Sequence, residues 1–479
     1  VLIRHSILYT VAKIVPGLLG MATTAILTRL LDPRQYGSYG LALLIMTFGS
    51  TMAFDWLGVT YLRFYQGRRD DPRMIGTFVP IFMALVGLTA AVAGAGWTLG
   101  LFAGIDGRLA ATGIVMMWCY AWFELAARFE IAGFRPMRYL TMNVCRGLFT
   151  LVGAAGTAYV TRDAIDAAAG MAVGTFLGAS LCGVRVWRCS LAGIDWRLAG
   201  AVVAFGLPMA ASMMMSGLVG GGTRSLVGWL DSPAALGFYT AAFTLVPSAL
   251  VMLGAGVASA SYSLAVQAVE TGDADVARQQ LLANCTLLLA VLSPAALGIA
   301  LTAHGLAATL VGPDYVAMVA ELTPWMAFGS FFGAFRGYYL DHAFQLGKRP
   351  FLQIWVTGLA ALVALGLSAA LIPRYGPLGA AMATAAAMVA SSALAYILGR
   401  RAYPVPIAVG PALRILAASL VMVLAILAVP GSGRVALGMQ ITAGAVAYLI
   451  AAFALDVLDA RSHVRRMILW RTRLPAGLS

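Results

Sequence analysis

Apolar runs of about twenty residues recur along this chain from one end to the other, separated by short polar breaks. A helix rises about 1.5 Å per residue, so about 20 apolar residues cross the roughly 30 Å of hydrocarbon in a bilayer. Fourteen such runs fall near 6–30, 39–62, 76–104, 109–131, 139–161, 165–187, 201–230, 238–264, 283–311, 322–345, 350–373, 378–400, 411–430 and 436–456. Only 11% of the residues are charged, against about 25% in soluble domains, so lipid is the solvent. Lipid offers no partner for backbone N–H and C=O groups, and a helix satisfies them within the segment. The expected fold is an all-α polytopic membrane protein with no room for a soluble catalytic domain. The first run is too long for a signal peptide and lacks its small-residue cleavage site, which predicts a retained first span.

The net charge of +13 reads as topology before it reads as nucleic-acid binding. One set of loops, with both ends of the chain, holds 21 Lys and Arg and the opposite set 6, leaving Lys13, Arg146, Arg224, Arg336 and Arg414 inside spans. The cation-rich side is cytoplasmic by the positive-inside rule. The five cysteines form no CxxC pair and none falls in an expected outer loop, so neither disulfides nor a zinc site is expected.

Two short motifs recur. Leu31-Asp32 with Gly37-Ser38-Tyr39 returns as Leu230-Asp231 with Gly237-Phe238-Tyr239, and AGMAVGT at 169–175 returns as LGAAMAT at 378–384. An offset of six spans preserves orientation, so the repeat is parallel, with its axis along the membrane normal. It predicts two pseudo-symmetric six-helix bundles, 1–197 and 198–402, followed by two extra helices and a basic tail in 403–479.

At this point the sequence resembles the polysaccharide flippases of the multidrug/oligosaccharidyl-lipid/polysaccharide exporter superfamily. The resemblance rests on LTRLLDPRQYGSYGLAL at 27–43, FDWLG at 54–58, FGLPMAASMMMSG at 205–217 and, most specifically, LIPRYGPLGAAMAT at 371–384. Thr223-Arg224 stands where family members often carry Asp-Arg, which removes any role tied to that acid. The resemblance implies two bundles facing a central cavity. It also implies movement of polyprenyl-pyrophosphate-linked oligosaccharide from the inner to the outer leaflet of a bacterial cytoplasmic membrane. O-antigen, capsule or exopolysaccharide synthesis would then be its setting. A polysaccharide polymerase and a chain-length regulator are candidate partners, beside membrane lipids.

An ionised side chain deep in a bilayer costs several kcal/mol, roughly 2.5–3.5 on insertion scales, so the deep charges are the candidate site. Lys13, Arg146, Arg224 and Arg336 are the candidate anion ligands, because arginine replaces the lost hydration of a pyrophosphate with bidentate hydrogen bonds. Snorkelling toward headgroups is the competing reading, and it suits Arg414 best. Asp55, Glu124 and Asp341 are candidates for Na⁺ or H⁺ coupling, or for gating. A structural ion pair is the alternative for them, as between Glu124 and Arg128 at i,i+4. Gly220, Gly221 and Gly222 read equally as a hinge or as close helix packing. Pro16, Pro208, Pro247 and Pro294 are candidate kinks. His304 and His342 are expected to be packed or interfacial, and no metal site is expected.

Residues 265–282 read as a short amphipathic helix on the cytoplasmic face. The tail at 460–475 reads as a basic segment on anionic headgroups rather than a nucleic-acid binder. A multidrug or small-cation antiporter of the same superfamily is the first rival, and it would want a net acidic cavity. An enzyme is the second. No outer loop is large enough for a catalytic domain, and there is no Gly-rich phosphate loop, metal cluster or nucleophile triad, so no catalytic residue is assigned. A scaffold without transport is the third, and it has no use for deep charges.

Overall fold

The computed structural model describes residues 2–65, 71–100, 104, 106–182, 193–270, 274–349, 351–431 and 433–457. Among these the protein is helix and short turns, with no strand. Each of the fourteen expected spans falls on helix, and the helices take the same numbers here. Span 1 is Leu2–Leu30, and span 2 is Pro33–Ala53 continued by Asp55–Tyr65. Spans 3 to 6 are Pro72–Thr98, Gly107–Ala132, Pro136–Thr161 and Ala164–Cys182. Span 7 is Trp196–Gly217 joined to Thr223–Leu230 by a π turn at Leu218–Gly222. Spans 8 and 9 are Pro233–Glu270 and Ala274–Leu301, with the short helix Ala303–Leu310 after them. Span 10 is Val316–Phe335, a π turn at Arg336–Leu340 and His342–Leu346. Spans 11 to 14 are Leu352–Tyr375, Pro377–Ala402, Val409–Leu427 and Arg434–Ala454.

Ten of these helices are long and apolar enough to cross a bilayer individually, and span 2, bent by 42° after Ala53, makes an eleventh. Span 1 and the two spans interrupted by π turns complete the fourteen. Residues 265–270 continue span 8, and Ala274 already opens span 9. The expected separate amphipathic helix at 265–282 is thus the ends of two long helices, because nothing before Glu270 stops span 8. The tail at 460–475 and the side chain of Lys13 lie outside what is described.

The turns explain several charges. Asp32, Asp71, Asp106 and Asp195 are N-caps whose carboxylates accept from backbone N–H groups at 2.8–3.1 Å, and Pro33 and Pro72 follow in first-turn positions that need no donor. The Ile372-Pro373-Arg374-Tyr375-Gly376 turn ends span 11 at Tyr375. Gly376 then reverses the chain at φ +57° and ψ −139°, a conformation that only glycine adopts readily. Pro377 starts span 12.

Small residues set the helix crossings. Cβ atoms added at Gly153 and Gly170 would overlap each other's backbone, and one at Gly174 would overlap the Phe149 carbonyl. Gly379, in the second copy of the same motif, lies against the Leu371 backbone. The motif copies at 169–175 and 378–384 are therefore the places where spans 5 and 6, and spans 11 and 12, touch backbone to backbone. Lipid tails are as apolar as leucine, so helices in a membrane associate through such close contact rather than through a hydrophobic drive.

The other repeated motif joins the two halves of the chain. Spans 1 and 2 pack against span 8, and span 2 also packs against span 7. At that crossing the Cα of Gly37 lies against the Pro233 carbonyl, and that of Gly237 lies against the Pro33 carbonyl.

Candidate functional site

Three of the deep charges, Glu124, Arg146 and Arg336, line two cavities. The larger, about 430 Å³, is formed by spans 1, 4 and 5 and lined by Pro16, Glu124, Arg128, Tyr139, Asn143 and Arg146 among others. The second, about 350 Å³, is formed by spans 7, 8, 10, 11 and 12. Its wall is mostly apolar, with Phe243, Trp325 and Met388. Arg336, Gln353, Ser330 and Thr384 are its principal polar members, and no acid is among its described lining residues.

Arg146 holds its guanidinium over Phe123 at 4.5 Å and near Tyr120 at 5.6 Å. Its Nε is buried with no hydrogen-bond partner. The close approach of Gly178 to the Arg146 backbone fixes the start of that side chain. Glu124 pairs with Arg128 at 3.9 Å, one helical turn away, as the structural alternative foresaw. The Cα of Gly58, last residue of FDWLG, lies against the Arg128 stem.

Asp55 sits at the bend of span 2. Its two carboxylate oxygens accept from Ser50 Oγ and Thr51 Oγ1, both at 3.0 Å. Trp56 Nε1 donates to the Ala53 carbonyl at 2.9 Å, taking up an acceptor that the bend releases. Asp55, Glu124 and Arg128 meet at one small pocket between spans 2 and 4. Asp55 and Trp56 of FDWLG thus hold a bend beside a charge cluster, and Gly58 packs on that cluster's Arg128.

Gly220, Gly221 and Gly222 occupy the π turn of span 7. Gly221 packs on Phe48, and Gly222 faces the end of Leu365. Both the bending and the packing reading therefore have a physical basis at the same place. Arg224, just beyond, donates through Nε to the Gly220 carbonyl at 3.2 Å and stacks 4.6 Å over Phe243. Thr223 turns its hydroxyl onto the Val219 carbonyl at 2.9 Å.

Arg336 opens the π turn of span 10 and lines the second cavity with its side chain 16% exposed. Nη1 donates to Ser391 Oγ at 2.5 Å. Nε stands 3.8 Å from Asp341 Oδ2 and makes no hydrogen bond. Gln353 Nε2 also donates to Asp341 Oδ2, at 3.2 Å, while Oδ1 is buried without a partner. The π turn brings Arg336 and Asp341 to the same side of the helix across one turn. Arg414, by contrast, donates to the Asp456 carbonyl at 3.3 Å near the end of span 14. No cluster able to hold a metal ion occurs among the described residues.

Sequence reasoning expects a cationic cavity that holds at least two of the four cations, with Arg224 and Arg336 facing one shared space. The structure puts Arg146 in the first cavity and Arg336 in the second, with Arg224 stacked on a wall residue of the second, because spans 1, 2, 7 and 8 pack together between them. It missed Asn143, Tyr139, Ser391, Gln353 and the aromatic wall. Asn143 carried a signal, being one turn before Arg146 on the same helix face. Gln353 and Ser391 carried none, since a single polar residue near a helix end, as Gln353 is, or a serine within a small-residue helix, as Ser391 is, is ordinary.

Residues 168–320 match the family described as "Polysaccharide biosynthesis protein". A structure described as the lipid II flippase MurJ in an inward closed conformation superposes with a TM-score of 0.75, covering 94% of this chain and 99% of its own at 14% identity. An inward-facing multidrug resistance MATE family transporter of the MOP superfamily gives 0.56 at 14% identity, covering 83% and 94%. The chain has the MOP-superfamily fold. A MOP-superfamily transporter from Pyrococcus furiosus gives 0.55 at 14% identity, covering 84% and 94%. No curated protein matches the chain. The family match and the fold agree with the resemblance carried by the four sequence motifs, and the chain is a multi-pass membrane protein.

Proposed function

We propose that this protein is a flippase for polyprenyl-pyrophosphate-linked oligosaccharides, working by alternating access of two lobes, 1–197 and 198–402. It is a transporter, not an enzyme. The observation that carries the reading is Arg336, a half-buried guanidinium opening into a 350 Å³ cavity with no acid among its described lining residues. A pyrophosphate leaving water needs such a ligand, because an unpaired anion in a low-dielectric cavity is strongly disfavoured. The match of residues 168–320 to a polysaccharide-biosynthesis family supports a sugar-containing substrate. Arg146, Asn143 and Tyr139 offer donors to the polar part of the same substrate, and Arg224 stabilises the wall beside Arg336.

A multidrug antiporter with the same fold is the rival. The Pyrococcus furiosus structure carries the description "Reverse polarity of binding pocket suggests different function". Pocket polarity is the discriminating property here too, and this chain's two cavities present arginine. Both termini are proposed to be cytoplasmic, in a bacterial inner membrane. Cysteines placed within 63–75, 132–138 and 188–197 should then react only with reagents admitted to the cytoplasm. Labelling of the 63–75 loop from outside would invert the orientation.

Asp55 is proposed to gate or couple transport, to Na⁺ or H⁺, through the bend it holds. Asp55→Asn keeps the shape and removes the charge. Transport should fall about tenfold, the effect of losing about 1.4 kcal/mol, with protein level unchanged. Unaltered transport would reduce Asp55 to a structural acceptor for Ser50 and Thr51.

A further inference from the structure

Alternating access, on which this inference rests, requires a seal that closes one face without holding it shut permanently. The charge count assigns the turns at 31–39 and 230–239 to the outer face. Those turns are the recurring motif, with Pro33 and Pro233, Gly37 and Gly237, and Tyr39 and Tyr239 all 200 residues apart. Their contact is reciprocal. Gly37 lies on the Pro233 carbonyl and Gly237 on the Pro33 carbonyl, and in both places a Cβ would overlap backbone that cannot turn aside. One turn further in, a Cβ at Gly40 would come within 2.8 Å of Thr240 Oγ1, a side chain that can move.

A second set of contacts ties the outer end of span 1 to residues 309–315. Gly312 N donates to Thr28 Oγ1 at 3.1 Å, Tyr315 Oη to the Leu31 carbonyl at 3.0 Å and Arg29 Nη2 to the Thr309 carbonyl at 2.6 Å. Tyr315 packs edge-on against both Tyr36 and Phe238, one from each copy of the motif.

We propose that Gly37 and Gly237 form a self-complementary outer seal, a two-fold pair of glycine-on-carbonyl contacts that closes the outer face, with Tyr315 as its latch. Two copies of one motif related by a two-fold axis meet as an isologous contact does, residue i on j and j on i. The Cα–H to carbonyl contacts available at such a crossing are individually weak. Such a seal excludes water by shape and separates without breaking ion pairs. The absence of a side chain at both glycines is its condition for closing.

The test reads conformation alone, without lipid-linked substrate, so its outcome is independent of what the protein carries. Spin labels at Arg108→Cys and Arg374→Cys, in a chain lacking its native cysteines, report the distance between the outer ends of the two lobes. Labels at Arg138→Cys and Arg400→Cys report the inner ends. Gly37→Ala and Gly237→Ala should each move the outer pair to a population longer by about 5 Å or more, the size of a one-turn displacement. The inner pair should shorten, which simple disruption would not produce. The double variant should reach the same distances as either single one, since all three prevent one contact. Gly40→Ala, opposed only by a side chain, should shift part of the population the same way, and Tyr315→Phe should do likewise by loosening the latch. Monodisperse Gly37→Ala protein with unchanged distances overturns the proposal. If Gly37→Ala does not assemble, unchanged distances in Gly40→Ala and Tyr315→Phe overturn it equally.

Discussion

Arg336→Ala should reduce export of surface polysaccharide by at least tenfold and leave lipid-linked precursor on the inner leaflet. A hydrogen bond to a charged group contributes about 1.5–3 kcal/mol, which is roughly 10- to 150-fold in binding. The site is buried, where that contribution is least screened. Arg336→Lys should recover only part of the loss, because lysine keeps the charge without the bidentate fork. The single change also strips Asp341 of its cation. Breaking a buried pair costs about 3–5 kcal/mol, so protein level alone could fall. Arg336→Ala combined with Asp341→Asn removes both charges and should restore the protein level while export stays lost. Normal export by either variant, at normal protein level, would reassign Arg336 as a structural partner of Asp341 and Ser391.

Gly153→Ala should sharply lower the amount of folded protein, whereas Gly156→Ala should be neutral. Both lie on span 5, three residues apart. A Cβ at Gly153 overlaps the Gly170 carbonyl, whereas one at Gly156 meets nothing within 4 Å. Overpacking a well-packed site costs about 1–3 kcal/mol when side chains can shift, and here the obstacle is backbone. Separating spans 5 and 6 also forfeits the close contact that holds them together in lipid. Detergent-solubilised yield and melting temperature of the two variants provide the measurement. Equal stability would show that spans 5 and 6 do not cross where the motif places them.

The two glycine motifs show how much of this protein its sequence discloses. Apolar length located all fourteen helical stretches, because the bilayer fixes what a span must be. The repeats at 31–39 and 169–175 were readable as repeats, and the structure gives each a mechanical use. Lateral arrangement was not readable. Most of these helices are apolar on every side, so no stripe marks the neighbour, and Arg146 and Arg336 look equivalent until their cavities are seen. The π turns at Leu218–Gly222 and Arg336–Leu340 were half legible. The glycine triplet pointed to the first, whereas RGYYL holds a single glycine, Gly337, which is too ordinary in a membrane helix to mark the second. The Glu124–Arg128 pair was foreseen because i,i+4 contacts are local. Gln353 on Asp341 joins two spans, and local pattern carries no information about such a bond.

The most direct measurement of the central claim is translocation by purified protein in liposomes. A fluorescent polyprenyl-pyrophosphate oligosaccharide is placed in both leaflets, and a membrane-impermeant quencher reads the outer leaflet over time. Wild-type protein should bring essentially all of the probe to the quencher, Arg336→Ala protein should not, and a neutral polyprenol lacking the pyrophosphate should not be moved. Quenching by wild-type protein that stops at the half present in protein-free liposomes, or transport of the neutral lipid at the same rate, would contradict the central claim.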